Sequence, residues 1–299
     1  NRGNVMKNFL NYNYNLFPRR IYRKDEKCYF FVDNYKIYIC ECNGINIDEI
    51  VNVSNELFKH GINVNTVLIN KFGNYISKYN NKSILLLRVN YIEENKIEYA
   101  SMKKIMNISP VTDMKAINLL QEWKNEVDSI ENELLEYNNE YPLIKKSFDY
   151  FIGCAENAIQ FYNSYVEKDK ITMGLGHYGF DFLNTKSFMN PLYIKKIDTE
   201  YEKAIYVKIK YIFGELDYDE LYEIIKNSNN LGSFFSCLLY PTIYLHCVKQ
   251  LLLEKNVDQY EKKVKIIVAK EHNYKKIFAY FQKMFKSNKK FQLLDWFNE

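Results

Sequence analysis

This sequence predicts an α+β protein of two lobes, a small antiparallel β-rich lobe over residues 1–90 and a larger helical lobe over residues 91–299. Three observations lead there. Short β-branched and aromatic runs, separated by turn residues, crowd the first lobe. Apolar residues at steps of three and four take over from about residue 91, and no repeat or low-complexity linker interrupts the chain. With 47% hydrophobic and 26% charged residues among 299, the composition is ordinary for a globular protein with an extensive core.

In chain order, KCYFFVDNYKIYICEC gives two β-rich runs around Asp33-Asn34, a pair suited to a tight hairpin turn. NIDEIVNVSNELFKHG follows as a helix. Ile50, Val53, Leu57 and Phe58 share one side of it, and Gly61 suits its C-terminal cap. Three more strands are expected: VNTVLI, GNYISKY with a turn at Asn80-Asn81, and SILLLRV with its apolar centre. Next, DMKAINLLQEWKNEVDSIENELLEY sets Met114, Ile117, Leu120, Trp123, Val127, Ile130 and Leu134 at helical spacing. LIKKSFDYFIGCAENAIQFYNSY repeats that pattern through Phe148, Phe151, Ile152, Ala155, Ile159 and Tyr162. Two short β-like pieces, KITMGL and PLYIKKID, then lead to helices at the end of the chain.

The chemistry concentrates between those two pieces, in GLGHYGFDFLN, residues 174–184. A His, an Asp two residues on and an Asn five further make the catalytic loop of small-molecule phosphotransferases, H-x-D-x-x-x-x-N. There the Asp takes the acceptor's proton, and the Asn with a later Asp holds magnesium on the phosphates. His177 and Asn184 fit this spacing, and Asp198, closing PLYIKKID, fits the later acid. The proton-accepting position is Gly179, and an acid stands only at Asp181, two places late. Displacing such a group by about 1 Å can cost about 100-fold. No Gly-rich turn joins the first strands to cover a phosphate, and Lys36 lies at the turn end of its strand, where a lysine is usually solvated. His177, Gly179 and Asp181 therefore read as a vestigial loop, with His177 as a structural residue whose ring bonds to backbone. Asn184 and Asp198 are the surviving metal- and cofactor-side residues, and helix-capping roles for both fit equally well.

The β-rich lobe carrying one helix, two long helices, a loop with short strands and further helices make a bilobal, protein-kinase-like plan. Within it, YFIGCAENAIQFYNSY (150–165) resembles the helix before the degenerate catalytic loop of the YutH-type spore coat proteins of the CotS group. KFGNYISKYNNKSILLLR (71–88) is similar to that family's strand pair, and LGSFFSCLLYPTIYLHCVKQ (231–250) to its late helix with a Leu-Leu-aromatic-Pro step. The resemblance spans roughly residues 20–255. It implies an aminoglycoside-phosphotransferase-like fold, used in the bacterial endospore coat by a branch whose kinase residues are eroded. Relatives carry a DW-x-YDHPSRD-like run after the loop. Here DTEYEKAIYVK keeps Asp198 and Tyr201, while the late Asp falls on Val207 and the Pro and Arg are absent.

A net charge of +4 is small for 299 residues and predicts no tight nucleic-acid binding. No run approaches about 18 consecutive apolar residues, so no membrane span is expected, and the polar start does not resemble a secretory signal. The six Cys have neither disulfide-frame nor zinc-knuckle spacing, although Cys40 and Cys42 lie two apart. No two of the four His stand at i,i+4 as a zinc pair would, and the Lys-rich tail has an apolar stripe of Ile277, Phe281, Met284 and Phe285. The favoured expectation is a non-catalytic kinase-like protein, made in the mother-cell cytoplasm and bound to other spore coat proteins, with no cofactor. The alternative is a phosphotransferase using ATP and magnesium on a small hydroxyl or amino compound. Oligomeric state is not legible in the sequence.

Overall fold

The computed structural model describes residues 2–24, 27–42, 44–90, 97–111, 113–136, 141–180, 182, 188–253 and 257–285. The chain forms two compact units, Asn1–Lys115 with Asn184–Lys195, and Ala116–Leu183 with Lys196–Glu299.

The first unit is built on a six-stranded sheet. Its strands are β1 (Ile21–Lys24), β2 (Lys27–Val32), β3 (Tyr35–Glu41), β4 (Thr66–Val67), β5 (Ser77–Tyr79) and β6 (Lys82–Arg88). They run β1-β2-β3-β6-β4, with β5 also on β6, and every pairing is antiparallel. Both expected turns form: Asp33-Asn34 at φ 47° and 68°, and Asn80-Asn81 at φ 48° and 63°. Asn and Asp accept this left-handed backbone more readily than other side chains, which is why these pairs close two-residue hairpins.

Helices α1 (Arg2–Tyr14) and α2 (Ile47–Lys59) cover opposite faces of the sheet. On one face Phe9, Leu10 and Tyr14 pack with Phe30, Ile37, Ile84 and Leu86. On the other, Ile50 packs with Tyr38, Cys42, Val67, Leu85 and Leu87. Strand β6 is covered on both faces, which accounts for its unbroken apolar run. Each fully buried Leu, Ile or Phe contributes about 1.5–3 kcal/mol. Asn46 caps α2 by accepting from Glu49 N–H, and Gly61 at φ 72° ends it as expected. Phe58 departs from expectation: it is on the exposed side, and Ser54 is buried in its place. Helix α1 and strand β1 are additional to the one helix and five strands expected. Helix α3 (Tyr99–Met106) completes the unit.

The second unit is helical: α4 (Leu119–Glu136), α5 (Pro142–Tyr165), α6 (Thr199–Phe213), α7 (Tyr218–Lys226), α8 (Leu231–Leu239), α9 (Thr242–Leu252), α10 (Val257–Ala269) and α11 (Glu271–Phe285). Helix α4 starts later than the periodicity implies. Ala116 bridges Lys196 in parallel, and Ile117 N–H donates to Lys196 O at 2.9 Å, so these residues are extended. Trp123, Val127 and Ile130 are buried as expected. Leu231–Leu252 is apolar enough by composition to cross a membrane, but the helix breaks at Tyr240-Pro241 and 83% of its most apolar 18-residue window is buried. It is core: α8 packs on α5 and α6, and α9 on α4 and α10.

Candidate functional site

Strand β7 (Met173–His177) and strand β8 (Ile194–Asp198) pair as a two-stranded sheet, and the predicted loop runs between them. Asp181 and Asn184 lie outside the described residues. The residues at both ends of the loop are described, and each is tied to α6.

His177 closes β7 and is fully buried. Glu202 is a partner of its ring and of its backbone N–H. One Glu202 oxygen lies 2.6 Å from His177 Nδ1, and the other accepts the His177 backbone N–H at 2.9 Å. The approach is close because residue 176 is Gly. A Cβ there would stand 2.7 Å from Ile197 Cγ2 and 3.1 Å from Glu202 Oε2. Three residues on, Gly179 has φ +70° with nothing within 4 Å of a built Cβ. There is space for a side chain, on a backbone that L residues rarely adopt. Tyr178, between them, donates to Glu122 at 3.4 Å, and burial raises its hydroxyl pKa above the ordinary value.

Asp198 closes β8 and caps α6. One oxygen accepts from Glu200 N–H at 3.0 Å and the other from Ser233 Oγ at 2.5 Å, with 2% of the residue exposed. Burial pushes its pKa up to about 6, while the Ser233 hydroxyl and the Glu200 N–H pull the other way. A polar network continues behind it. Glu200 accepts from Lys203 Nζ and Asn229 N–H at 2.9 Å each and from Ser228 Oγ at 2.7 Å, while Lys203 also reaches Asn227 O. Buried charges persist when satisfied in this way. Glu202, Ser233 and Glu200 were not singled out in the sequence; the available signal was the helical spacing of Asp198 and Glu202, one turn apart.

Lys36 lies on β3 opposite Phe31, on the α2 side of the sheet with Tyr38. Its ammonium donates to Tyr38 Oη at 2.6 Å and sits 4.7 Å from the Tyr29 ring centroid and 4.5 Å from that of Tyr38. It is half-buried among aromatic rings, not solvated as a turn-end lysine would be.

A magnesium ion prefers near-octahedral oxygen ligation with several waters. Asp198 is the one described residue of the predicted magnesium set, and each of its oxygens is already taken by a donor in a dry setting. Among the described residues, no three His, Cys, Asp or Glu side chains come together to hold a metal. Asp198 as placed, with both oxygens already accepting hydrogen bonds, does not by itself supply such a ligand set, and no step is derived through the ion.

With this geometry in view, the likeness to solved structures can be stated. An aminoglycoside phosphotransferase from Alicyclobacillus acidocaldarius matches with a TM-score of 0.59 at 8% identity, over 92% of this chain and 94% of that one. A spectinomycin phosphotransferase solved with ADP and spectinomycin matches with a TM-score of 0.58 at 11% identity, over 90% and 98%. The fold is that of the aminoglycoside phosphotransferases. The likeness runs end to end in backbone and is nearly absent in sequence. No family model and no curated protein matches the chain.

Proposed function

We propose that this chain is an ATP-dependent phosphotransferase acting on a small hydroxyl or amino compound. The observation that supports it is the extent of the match: nine-tenths or more of both chains against two phosphotransferases, one of them solved with ADP and spectinomycin. In such a reaction the terminal phosphorus–oxygen bond of ATP breaks, the phosphoryl group passes to the acceptor oxygen or nitrogen, and ADP leaves. The acceptor's proton must go to a base. Asp181 is the acid nearest in sequence to the position Gly179 leaves without a side chain. The buried His177–Glu202 pair and the capped Asp198 would hold the two ends of the loop that carries it.

A second reading has its own observation. Gly179 cannot accept a proton, and Asp198 spends both oxygens on structure. This favours a non-catalytic protein of the YutH-type spore coat group, made in the mother cell and bound to other coat proteins.

Thermal unfolding with ATP and magnesium, followed by ADP release with amino and hydroxyl acceptors, separates the two. A ligand at 100 times its dissociation constant adds about 2.7 kcal/mol. The expected result is a saturable rise in melting temperature and acceptor-dependent ADP release that Asp181→Asn abolishes. No rise and no release in the parent would overturn the proposal and leave the second reading.

A further inference from the structure

The α1 side of the first unit carries a surface that nothing above uses. The end of α1, the turn after it and the loop before β5 meet there. Lys71 N–H donates to Asn13 O at 2.8 Å, and the Tyr12 and Phe72 rings lie 5.8 Å apart. Lys71 Nζ stands 4.1 Å from the Tyr12 centroid and 5.1 Å from that of Phe72. Asn15, at φ 55°, ends the helix and turns the chain back, so that Lys7 Nζ reaches Arg19 O at 2.6 Å.

These side chains face water although they are apolar. Tyr12 is 64% exposed, Phe17 67%, Phe72 55% and Ile69 54%. Val5, seven residues before Tyr12 and thus on the same stripe of α1, is exposed as well. Phe72 is held out by construction. The buried Asn70 accepts from Phe72 N–H at 3.0 Å and Asn74 N–H at 2.9 Å, and donates to Ser77 Oγ at 2.9 Å. The loop is therefore organised before any partner arrives.

The segments that build this surface are basic. Residues 1–24 hold Arg2, Lys7, Arg19, Arg20, Arg23 and Lys24 and no acid, and residues 61–92 hold Lys71, Lys78, Lys82 and Arg88 and no acid. Glu41 on β3 is taken up by Lys82 at 2.8 Å. Exposed aromatic and aliphatic side chains beside an excess of cations are the two halves of an interfacial membrane contact. Rings and aliphatic groups enter the headgroup boundary, and Lys and Arg meet anionic lipid. Nucleic acid would use the cations and the rings, but it has no use for Val5 and Ile69.

We propose that this face docks the protein on an anionic phospholipid surface, with Tyr12, Phe17, Ile69 and Phe72 as the inserted groups and Lys71 and Arg19 as the headgroup contacts. The test is co-sedimentation of the full chain with vesicles of phosphatidylcholine alone or mixed with phosphatidylglycerol. The parent should bind only the mixed vesicles, and less so at high salt. The pair Tyr12→Ser with Phe72→Ser, and Lys71→Glu by itself, should each weaken binding by about tenfold. Lys226→Glu, an exposed charge change in the other unit, should not. Circular dichroism checks that the variants fold, and Ile69→Ser serves as a second apolar variant. Three outcomes would overturn the proposal: no binding to mixed vesicles, equal binding to both kinds, or binding unmoved by the patch variants. Loss in Lys71→Glu with full binding in both apolar variants would also overturn it, because the surface would then be a general polyanion site of the kind nucleic acid uses.

Discussion

Gly176 decides how closely α6 approaches β7, and with it where His177 stands. The distances from a built Cβ, 2.7 Å to Ile197 Cγ2 and 3.1 Å to Glu202 Oε2, leave no room for a methyl group without movement of a branched side chain or of the carboxylate that holds the loop. Gly176→Ala should therefore destabilise the protein by about 1–3 kcal/mol, the usual cost of overpacking. Gly153, inside α5, is the matched control. Nothing lies within 4 Å of its built Cβ, so Gly153→Ala should be neutral or stabilise by up to about 1 kcal/mol through helix propensity. Urea unfolding of both variants checks this, and a Gly176→Ala midpoint equal to the parent's would refute it. At this scale the sequence was only partly legible. His177, Gly179 and Asp198 could be singled out by spacing. The Glu202, Ser233 and Glu200 contacts could not: the one-turn spacing of Asp198 and Glu202 is local, but which helix packs behind the loop is not.

Helix α8 ends and α9 begins at Tyr240-Pro241, and the break is held by a buried lysine from α6. Lys208 Nζ donates to Tyr240 O at 2.5 Å and to Thr242 Oγ1 at 3.1 Å. It lines a cavity of about 20 Å³ with Phe151, Tyr211, Tyr244, Ile267 and Glu271. Burial lowers its pKa from 10.5 to about 7. An amine depressed in the folded state contributes stability that is full above the unfolded value and lost as pH falls through the folded one. Relative to Lys208→Met, the parent should therefore gain up to roughly 1.4 kcal/mol per pH unit on going from about pH 7 to about pH 10.5. Parallel stability profiles across that range would show that the amine does not titrate in this way. Other elements were read more easily. The Asp33-Asn34 and Asn80-Asn81 turns carry their conformation in their own side chains, and the α5 periodicity is local. Helix α1 escaped notice because Asn residues dilute its stripe, although Met6, Phe9, Leu10 and Tyr14 do fall at helical spacing. The start of α4 differs from the periodicity because a pairing with Lys196, far along the chain, extends residues that have helical spacing.

For the molecule as a whole, the question is whether activity can be carried by one position. The two phosphotransferases share this backbone from end to end at 8% and 11% identity, so the architecture survives almost complete replacement of its side chains. Phosphoryl transfer is mainly positioning and charge stabilisation supplied by several elements together. Residues that act as a unit do not restore function singly. Gly179→Asp puts a carboxylate at the position the loop pattern assigns to the base, with open space to receive it. It also places a non-Gly residue at φ +70°, which costs about 1 kcal/mol, or a drop of roughly 2 °C in melting temperature for a chain of this length. A base is worth about 10²–10⁴-fold only when the phosphate is already held in place. The expected outcome is a slightly less stable protein whose ADP release matches the parent's, whether the parent is active through Asp181 or inactive. A tenfold or greater gain in acceptor-dependent ADP release would show instead that the phosphate grip is intact and that the missing side chain at residue 179 is what limits turnover.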